Sequence, residues 1–185
     1  QVAGLKTTQI EKLNNTQLGA LTNDVLSAMS STQVNKLTST QLGQLTATQF
    51  ASFSTNVISN LTDTLLGGLT SKQMKGMTDT QLLSLTTSEI SKLTETQLGY
   101  LSTAQVATFN TDDVAGLTTT QLKTISTAQL QALSTGIVAA LSSSQLQIIT
   151  TGNISALSND QLQALSTAKV AMLTSAQVQN LSSAQ

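Results

Sequence analysis

A large apolar residue recurs at every eighth position from Leu5 to Leu181, without a break. With Leu5 as position one, the unit is Leu-Thr/Ser-x-x-Gln-Leu/Val-x-x, and 23 copies start between Leu5 and Leu181. Position one is only Leu, Ile, Met or Phe, and position six, from Ile10 to Val178, is only Leu, Ile, Val, Met or Phe. Periodicity of this kind dictates architecture before any other signal is read. Whatever this chain folds into must be built from eight-residue pieces, each burying two side chains.

The octad matches the start of a helix at four positions. Position two is Ser or Thr in 20 of the 23 copies, and Asn14 and Asn110 are also good N-caps. Only Lys6 departs. Three residues on comes Gln in 15 copies and Glu89 in another. Ser/Thr-x-x-Gln/Glu is the capping box, and the flanking apolar positions one and six are the hydrophobic staple. The last two positions hold Gly19, Gly43, Gly67, Gly68, Gly76, Gly99 and Gly116. Glycine just past a helix permits a left-handed turn, so the spacing predicts left-handed exits there. The predicted fold is an all-α solenoid, a superhelix of very short helices with one per octad and two to four octads per turn.

Other folds fit less well. A continuous helix would rotate its apolar stripe by about 80° per octad, so no seam would persist. A β-solenoid is the alternative fold, but it needs period-two alternation, and positions one and six have opposite parity. A helix of about six residues cannot stand alone, because nucleation costs more than one turn returns. Each must therefore pack on neighbouring turns, and residues 1–185 read as one repeat array. The chain begins and ends in mid-octad with no polar capping unit. We therefore expect a fragment of a longer array, or ends that stack on other copies by end-to-end self-association.

Charge is scarce: 9% of residues, eight Lys, no Arg and nine acids, for a net −1. That argues against a nucleic-acid partner and a polybasic membrane patch. Cys, His, Trp and Pro are absent, so neither a disulfide framework nor a thiolate–imidazole metal site is available. No apolar run is long enough to span a membrane. The surface is expected to be a neutral coat of Thr, Ser, Gln and Asn.

The departures from the octad are the places to look for chemistry. Position five loses its Gln at Val25, Val57, Leu65, Glu89, Asp113, Ile137, Asn153 and Lys169. Residues 65, 89, 113 and 137 fall three octads apart, which would mark a 24-residue turn. We read the spacing as chance, since the other four do not keep it. Asp112 and Asp113 are the only adjacent acids. They suit helix-start acids facing the dipole better than a calcium site, which wants six to eight oxygens. A Ser or Thr nucleophile would need an activating base, and there is no His. Gly67-Gly68 lacks the following Gly-Lys-Ser/Thr of a phosphate loop. Asn14, Asn60, Asn153 and Asn180 head Asn-x-Ser/Thr sequons of the kind that arise by chance in such a composition. Phe50, Phe53 and Phe109 occupy core positions, and Tyr100 alone is no binding platform. Thr-x-Thr runs such as Thr78-Asp79-Thr80 could form an ice-binding ladder, but the first Thr of each is already a cap. No catalytic, metal or cofactor residue is expected.

The run Leu117-Thr118-Thr119-Thr120-Gln121-Leu122, then Ile125-Ser126-Thr127-Ala128-Gln129-Leu130, resembles the degenerate octapeptide arrays of large bacterial surface or secreted, adhesin-like proteins. The resemblance covers the whole chain. It implies an extracellular or cell-surface location and a structural or adhesive role, and it brings no catalytic residues. The resulting expectation is a non-enzymatic stalk, spacer or filament segment. The rivals are a solenoid binding module for a peptide or glycan, and an ice-binding Thr array.

Overall fold

A computed structural model describes residues 4–185. Among the described residues there are 22 helices of four to six residues, from α1 (Thr7–Ile10) to α22 (Ser175–Gln179), and no strand. The β-solenoid alternative is thereby set aside. Contacts divide the chain into two compact units, Gln1–Tyr100 and Leu101–Gln185.

Every helix starts where its octad says it should. The position-two residue is the N-cap with extended backbone, as at Thr38 (φ −79°, ψ 159°) before α5 (Ser39–Gln44). The Gln41 amide N–H donates to Thr38 Oγ1 at 3.1 Å, and the Thr38 N–H donates to Gln41 Oε1 at 2.7 Å. Two of the free amides of the first turn are satisfied this way. Even Lys6 heads a helix, because its backbone N–H still reaches Gln9 Oε1 at 2.8 Å.

The helix exits differ from expectation. No residue described, glycine included, has a positive φ. Instead the position-one N–H turns back to the position-six carbonyl three residues earlier, as in Leu45 to Leu42 and Leu69 to Leu66 (3.1 and 3.2 Å). This tight closing bond uses up the chain's turn without a left-handed residue. Two extended residues, such as Leu45 and Thr46, then carry the chain into the next helix. Glycine matters here for a different reason. A Cβ on Gly68 would come within 2.6 Å of the Ser39 side chain, and one on Gly76 within 2.7 Å of Ala47. Adjacent turns touch at these two points.

In the first unit each helix packs on the helix three later, α2 (Asn15–Gly19) on α5 and α5 on α8 (Asp63–Gly67), for example. The second unit repeats the pattern, with α13 (Thr103–Ala107) on α16 (Thr127–Ala132) and α14 (Thr111–Gly116) on α17 (Thr135–Ala140). Three octads, or 24 residues, therefore make one turn of the solenoid in both units. The interval from 65 to 89, and from 113 to 137, equals one such turn, while Val25, Val57, Asn153 and Lys169 still do not keep that spacing. Residue 65 stands in the turn below 89, and 113 in the turn below 137.

Positions one and six fill the interior. Ile10, Leu42, Phe50, Leu66, Leu122 and Leu146 are almost wholly buried. The rings of Phe50 and Phe53 meet edge to face with centroids 5.9 Å apart, a favoured aromatic geometry. Leu98 is only half-buried.

Candidate functional site

The interior is not purely apolar. Gln33, Gln49, Gln73, Gln81, Gln97, Gln105, Gln121, Gln129, Gln145, Gln161 and Gln177 are all buried. Every one is a position-five residue, and the expected surface coat of Gln does not hold for this position. A buried primary amide must satisfy its donors as well as its acceptor. Here the two ends divide the work. Oε1 accepts the cap amide of its own octad, and Nε2 reaches the turn below. Gln81 Nε2 donates to the carbonyls of Phe50 (3.2 Å), Ala51 (3.3 Å) and Phe53 (2.8 Å). Gln73 bonds Leu42 at 2.7 Å, and Gln97 bonds Leu66 at 2.8 Å. In the second unit Gln145 bonds Val114 (2.9 Å), Gln161 bonds Leu133 (2.8 Å) and Gln177 bonds Leu146 (2.8 Å). The acceptors lie 28 to 31 residues back, at positions six and seven of one helix and position one just after it. These are the carbonyls a short helix leaves exposed at its end. The glutamines are thus rungs between turns as well as caps within them.

Substitutions at position five can now be sorted by whether they can donate. Asn153 is a shorter rung: its Nδ2 bonds the Ile125 carbonyl at 2.6 Å, while Oδ1 accepts from Thr127 Oγ1 at 2.7 Å. Lys169 donates through Nζ to the Ala139 carbonyl. Val57, Leu65 and Ile137 are buried and apolar, with nothing to give. Glu89 keeps the cap half, Oε2 accepting from the Thr86 N–H at 2.7 Å, but its side chain lacks the NH2 group that makes a rung.

Octad 61–68 shows how one loss is made good. Leu65 cannot accept from its cap amide, Thr62 N–H. That amide instead donates to Asn35 Oδ1 at 3.0 Å, from the turn below. Asn35 Nδ2 in turn donates to the Asn60 carbonyl at 2.6 Å. A position-seven amide from a neighbouring turn has taken over. Gln131 to Ala156 (2.7 Å) and Gln147 to Met172 (3.0 Å) repeat that outer contact.

The residues singled out for chemistry are accounted for locally. Asp113 is buried, and its Oδ2 accepts from the Asn110 N–H at 2.8 Å. Burial pushes its carboxyl above the usual value, against the lowering effect of the Asn110 bond and with a smaller upward push from Asp112. Among the described residues no three His, Cys, Asp or Glu side chains gather as metal ligands would. Of the sequon asparagines, Asn14 caps α2, Asn153 is a rung, and Asn60 and Asn180 bond back to Asn56 and Ala176 of their own helices. Thr78 Oγ1 caps Gln81 and also meets Thr80 Oγ1 at 3.0 Å. Its hydroxyl is committed, as the capping argument anticipated. An open cleft of about 520 Å³ lies beside Asn35, Ser39, Thr40, Thr62 and Thr64. Ser39 Oγ is spent on the Thr64 carbonyl at 3.2 Å, as Asn35 is on its own neighbours. No helix among the described residues is long and apolar enough to cross a membrane.

The comparison that bears on this arrangement is with a repeat family. Residues 106–143 and 124–159 match the ALTTAQ repeat. Both stretches lie in the second unit, and together they cover less than a third of the chain. Laid on the octad, the six letters of that name run from position eight to position five, as in Ala140-Leu141-Ser142-Ser143-Ser144-Gln145. The ALTTAQ letters thus hold the staple leucine, the cap and the rung. The match supports a structural repeat protein. A search of curated proteins gave no match.

The rung role of Gln was not found in the sequence, although one signal was there. Glu serves a capping box as well as Gln does, and the helix dipole favours it. Yet Gln outnumbers Glu at position five by 15 to 1. Such a preference asks for a donor.

Proposed function

We propose that this chain is a non-enzymatic structural segment, a stalk, spacer or filament element at a bacterial cell surface. One observation carries the reading. The amides of the buried glutamines are spent on holding turn to turn, as in the three carbonyls bonded by Gln81. Bonds of that kind resist separation of the turns, which is what a spacer under load requires. The extracellular, adhesin-like setting is supported by the resemblance of the octads to surface arrays, and by a composition without cysteine to mispair in an oxidising space.

Pulling single molecules between handles tests the mechanical reading. A spacer of this design gives way in steps of whole turns, each releasing about 80 Å of chain. Collapse at forces indistinguishable from a disordered chain would overturn it. Protease shaving of intact source cells tests the location, and full protection of the chain would refute it. The rival reading, a binding module, draws on the hydroxyl-lined cleft beside Thr40 and Thr64. Saturable binding on a glycan or peptide array, lost on Thr40→Ala, would favour the rival.

A further inference from the structure

We propose that the first unit carries a built-in opening line, where two neighbouring helices lift together from the turn below while the rest of the unit stays closed. The helices that lift are α7 (Thr55–Ile58) and α8, and those they leave are α4 (Ser31–Val34) and α5. Opening of this kind belongs to the unloaded fold. It goes beyond the spacer reading and does not rest on it.

Among the position-five residues that replace Gln, Val57 and Leu65 are the one pair in consecutive octads. Glu89 lies between the rungs of Gln81 and Gln97, and Ile137 between those of Gln129 and Gln145. Those single losses are held on both sides. Val57 and Leu65 instead leave two rungs in a row missing, between Gln49 and Gln73. The carbonyls at the rung positions, Leu26 and Met29 below Val57 and Val34 and Leu37 below Leu65, face side chains that cannot donate.

The polar bonds that join the turns here lie on the outside. Asn35 bonds the Thr62 N–H (3.0 Å) and the Asn60 carbonyl (2.6 Å), and Ser39 Oγ bonds the Thr64 carbonyl (3.2 Å), all in exposed positions. Water replaces such bonds at little cost, whereas a buried rung leaves its partners unsatisfied when it breaks. The open cleft of about 520 Å³ runs along the same line, past Asn35, Leu37, Thr40, Thr62 and Thr64, so solvent already reaches the outer edge of the seam. Inside, Val57, Ile58, Leu65 and Leu66 are buried, and their return to the interior recloses the turns. Regions with few buried bonds and exposed backbone hydrogen bonds are where a native fold opens locally. Once lifted, a helix of four or five residues does not hold its own bonds, so its amides exchange.

Native-state hydrogen exchange of the 185-residue chain tests the proposal. The reporters are position-six amides, each bonded to the carbonyl of its own cap: Ile58 to Ser54 (3.2 Å), Leu66 to Thr62 (2.9 Å), Met74 to Thr70 (3.0 Å) and Leu82 to Thr78 (2.9 Å). Relative to their intrinsic rates, Ile58 and Leu66 are expected to exchange at least tenfold faster than Met74 and Leu82, whose octads carry rungs. Val57→Gln supplies a rung donor and should slow Ile58 and Leu66 together, about tenfold. A cap repaired within α7 alone would slow Ile58 and leave Leu66 unmoved. Val57→Leu adds bulk without a donor and should slow neither. Asn35→Ala removes the outer clamp and should quicken both two- to fivefold, with Met74 and Leu82 unchanged. Melting curves establish that each variant is folded, and if Val57→Gln is not, the Asn35→Ala comparison decides in its place. Equal protection at all four amides of the parent overturns the proposal. So does a Val57→Gln effect that is absent, confined to Ile58 or matched by Val57→Leu, or an Asn35→Ala variant with unchanged exchange at Ile58 and Leu66.

Discussion

The position-five side chain works at two distances, three residues away through its oxygen and about thirty through its nitrogen. Substitutions that separate these jobs should differ sharply in cost. Gln81→Glu keeps the cap acceptor but sets a carboxylate against the carbonyls of Phe50 and Phe53, and it is expected to lose on the order of 3 kcal/mol. Gln81→Leu, which copies Leu65, should lose about 1–2 kcal/mol, because it takes the partner from the Phe53 carbonyl and the Thr78 N–H but buries no charge. Urea melts of the two variants decide it, and equal losses would remove the rung from the account. Asp113 supplies the pH-dependent case. Its carboxyl is raised above 3.8 chiefly by burial. The folded state therefore holds this proton more tightly than the unfolded one. That contribution to stability is full below the unfolded value and is lost as pH rises through the folded one. Asp113→Asn should flatten this limb and raise the melting temperature at pH 7. A variant with an unchanged pH profile would show that burial does not govern this carboxyl. The cap half of these interactions was legible in the sequence because donor and acceptor sit three residues apart. The rung half was not, because its partner lies a full turn away and no spacing within an octad reveals it.

At the scale of one helix, the cap sets both where the helix begins and how the chain turns out of the previous one. Thr118 Oγ1 accepts from the Gln121 N–H at 3.2 Å, so Thr118→Ala should cost about 1 kcal/mol. Thr119 is exposed at the first helical position, and Thr119→Ala should cost a few tenths at most. A thermal-melt series that ranks them equally would contradict the capping assignment. The Asn35–Leu65 exchange makes a stricter prediction between two helices. Asn35→Ala leaves the exposed Thr62 N–H to water and should cost about 0.5–1 kcal/mol. Adding Leu65→Gln restores a local acceptor and should recover most of that loss, while in the parent the same change gains little. Absence of coupling in the double-mutant cycle would show that the two residues act independently. Helix starts were legible to the residue, since Ser or Thr, Gln and two apolar positions all point to one place. Helix ends were not. Glycines at positions seven and eight suggested left-handed exits, whereas the chain closes most helices with a bond from position one to position six. That closure needs no special residue, and so leaves no mark in the composition.

For the whole molecule, the near absence of charge makes a plain statement about solvent. Lys36–Glu11 (3.4 Å) and Lys92–Asp63 (2.8 Å) are the ion pairs among the described residues, and all four side chains are well exposed. Exposed pairs contribute little and are screened by salt. The melting temperature should therefore move by only a degree or two between low salt and 1 M NaCl. A large fall would mean that charge holds the turns together after all. The all-α solenoid class was legible from the eight-residue period, and the number of octads per turn was not. Any number from two to four buries positions one and six, so the period alone leaves it open, and the contact that marks three, the glutamine rung, joins residues 28 to 31 apart.

Since every octad ends in the same two carbonyls, a rung does not depend on which octad lies beneath it. Removing or duplicating eight residues in mid-array would slide each later glutamine onto an equivalent pair of acceptors. The gene can therefore lengthen or shorten by whole repeats while the fold stays intact, and copy number is free to drift. Asn35 and Thr62 are an exception. Their bond is specific to a separation of 27 residues, so an octad gained or lost between them would part the two while the rungs re-form around them.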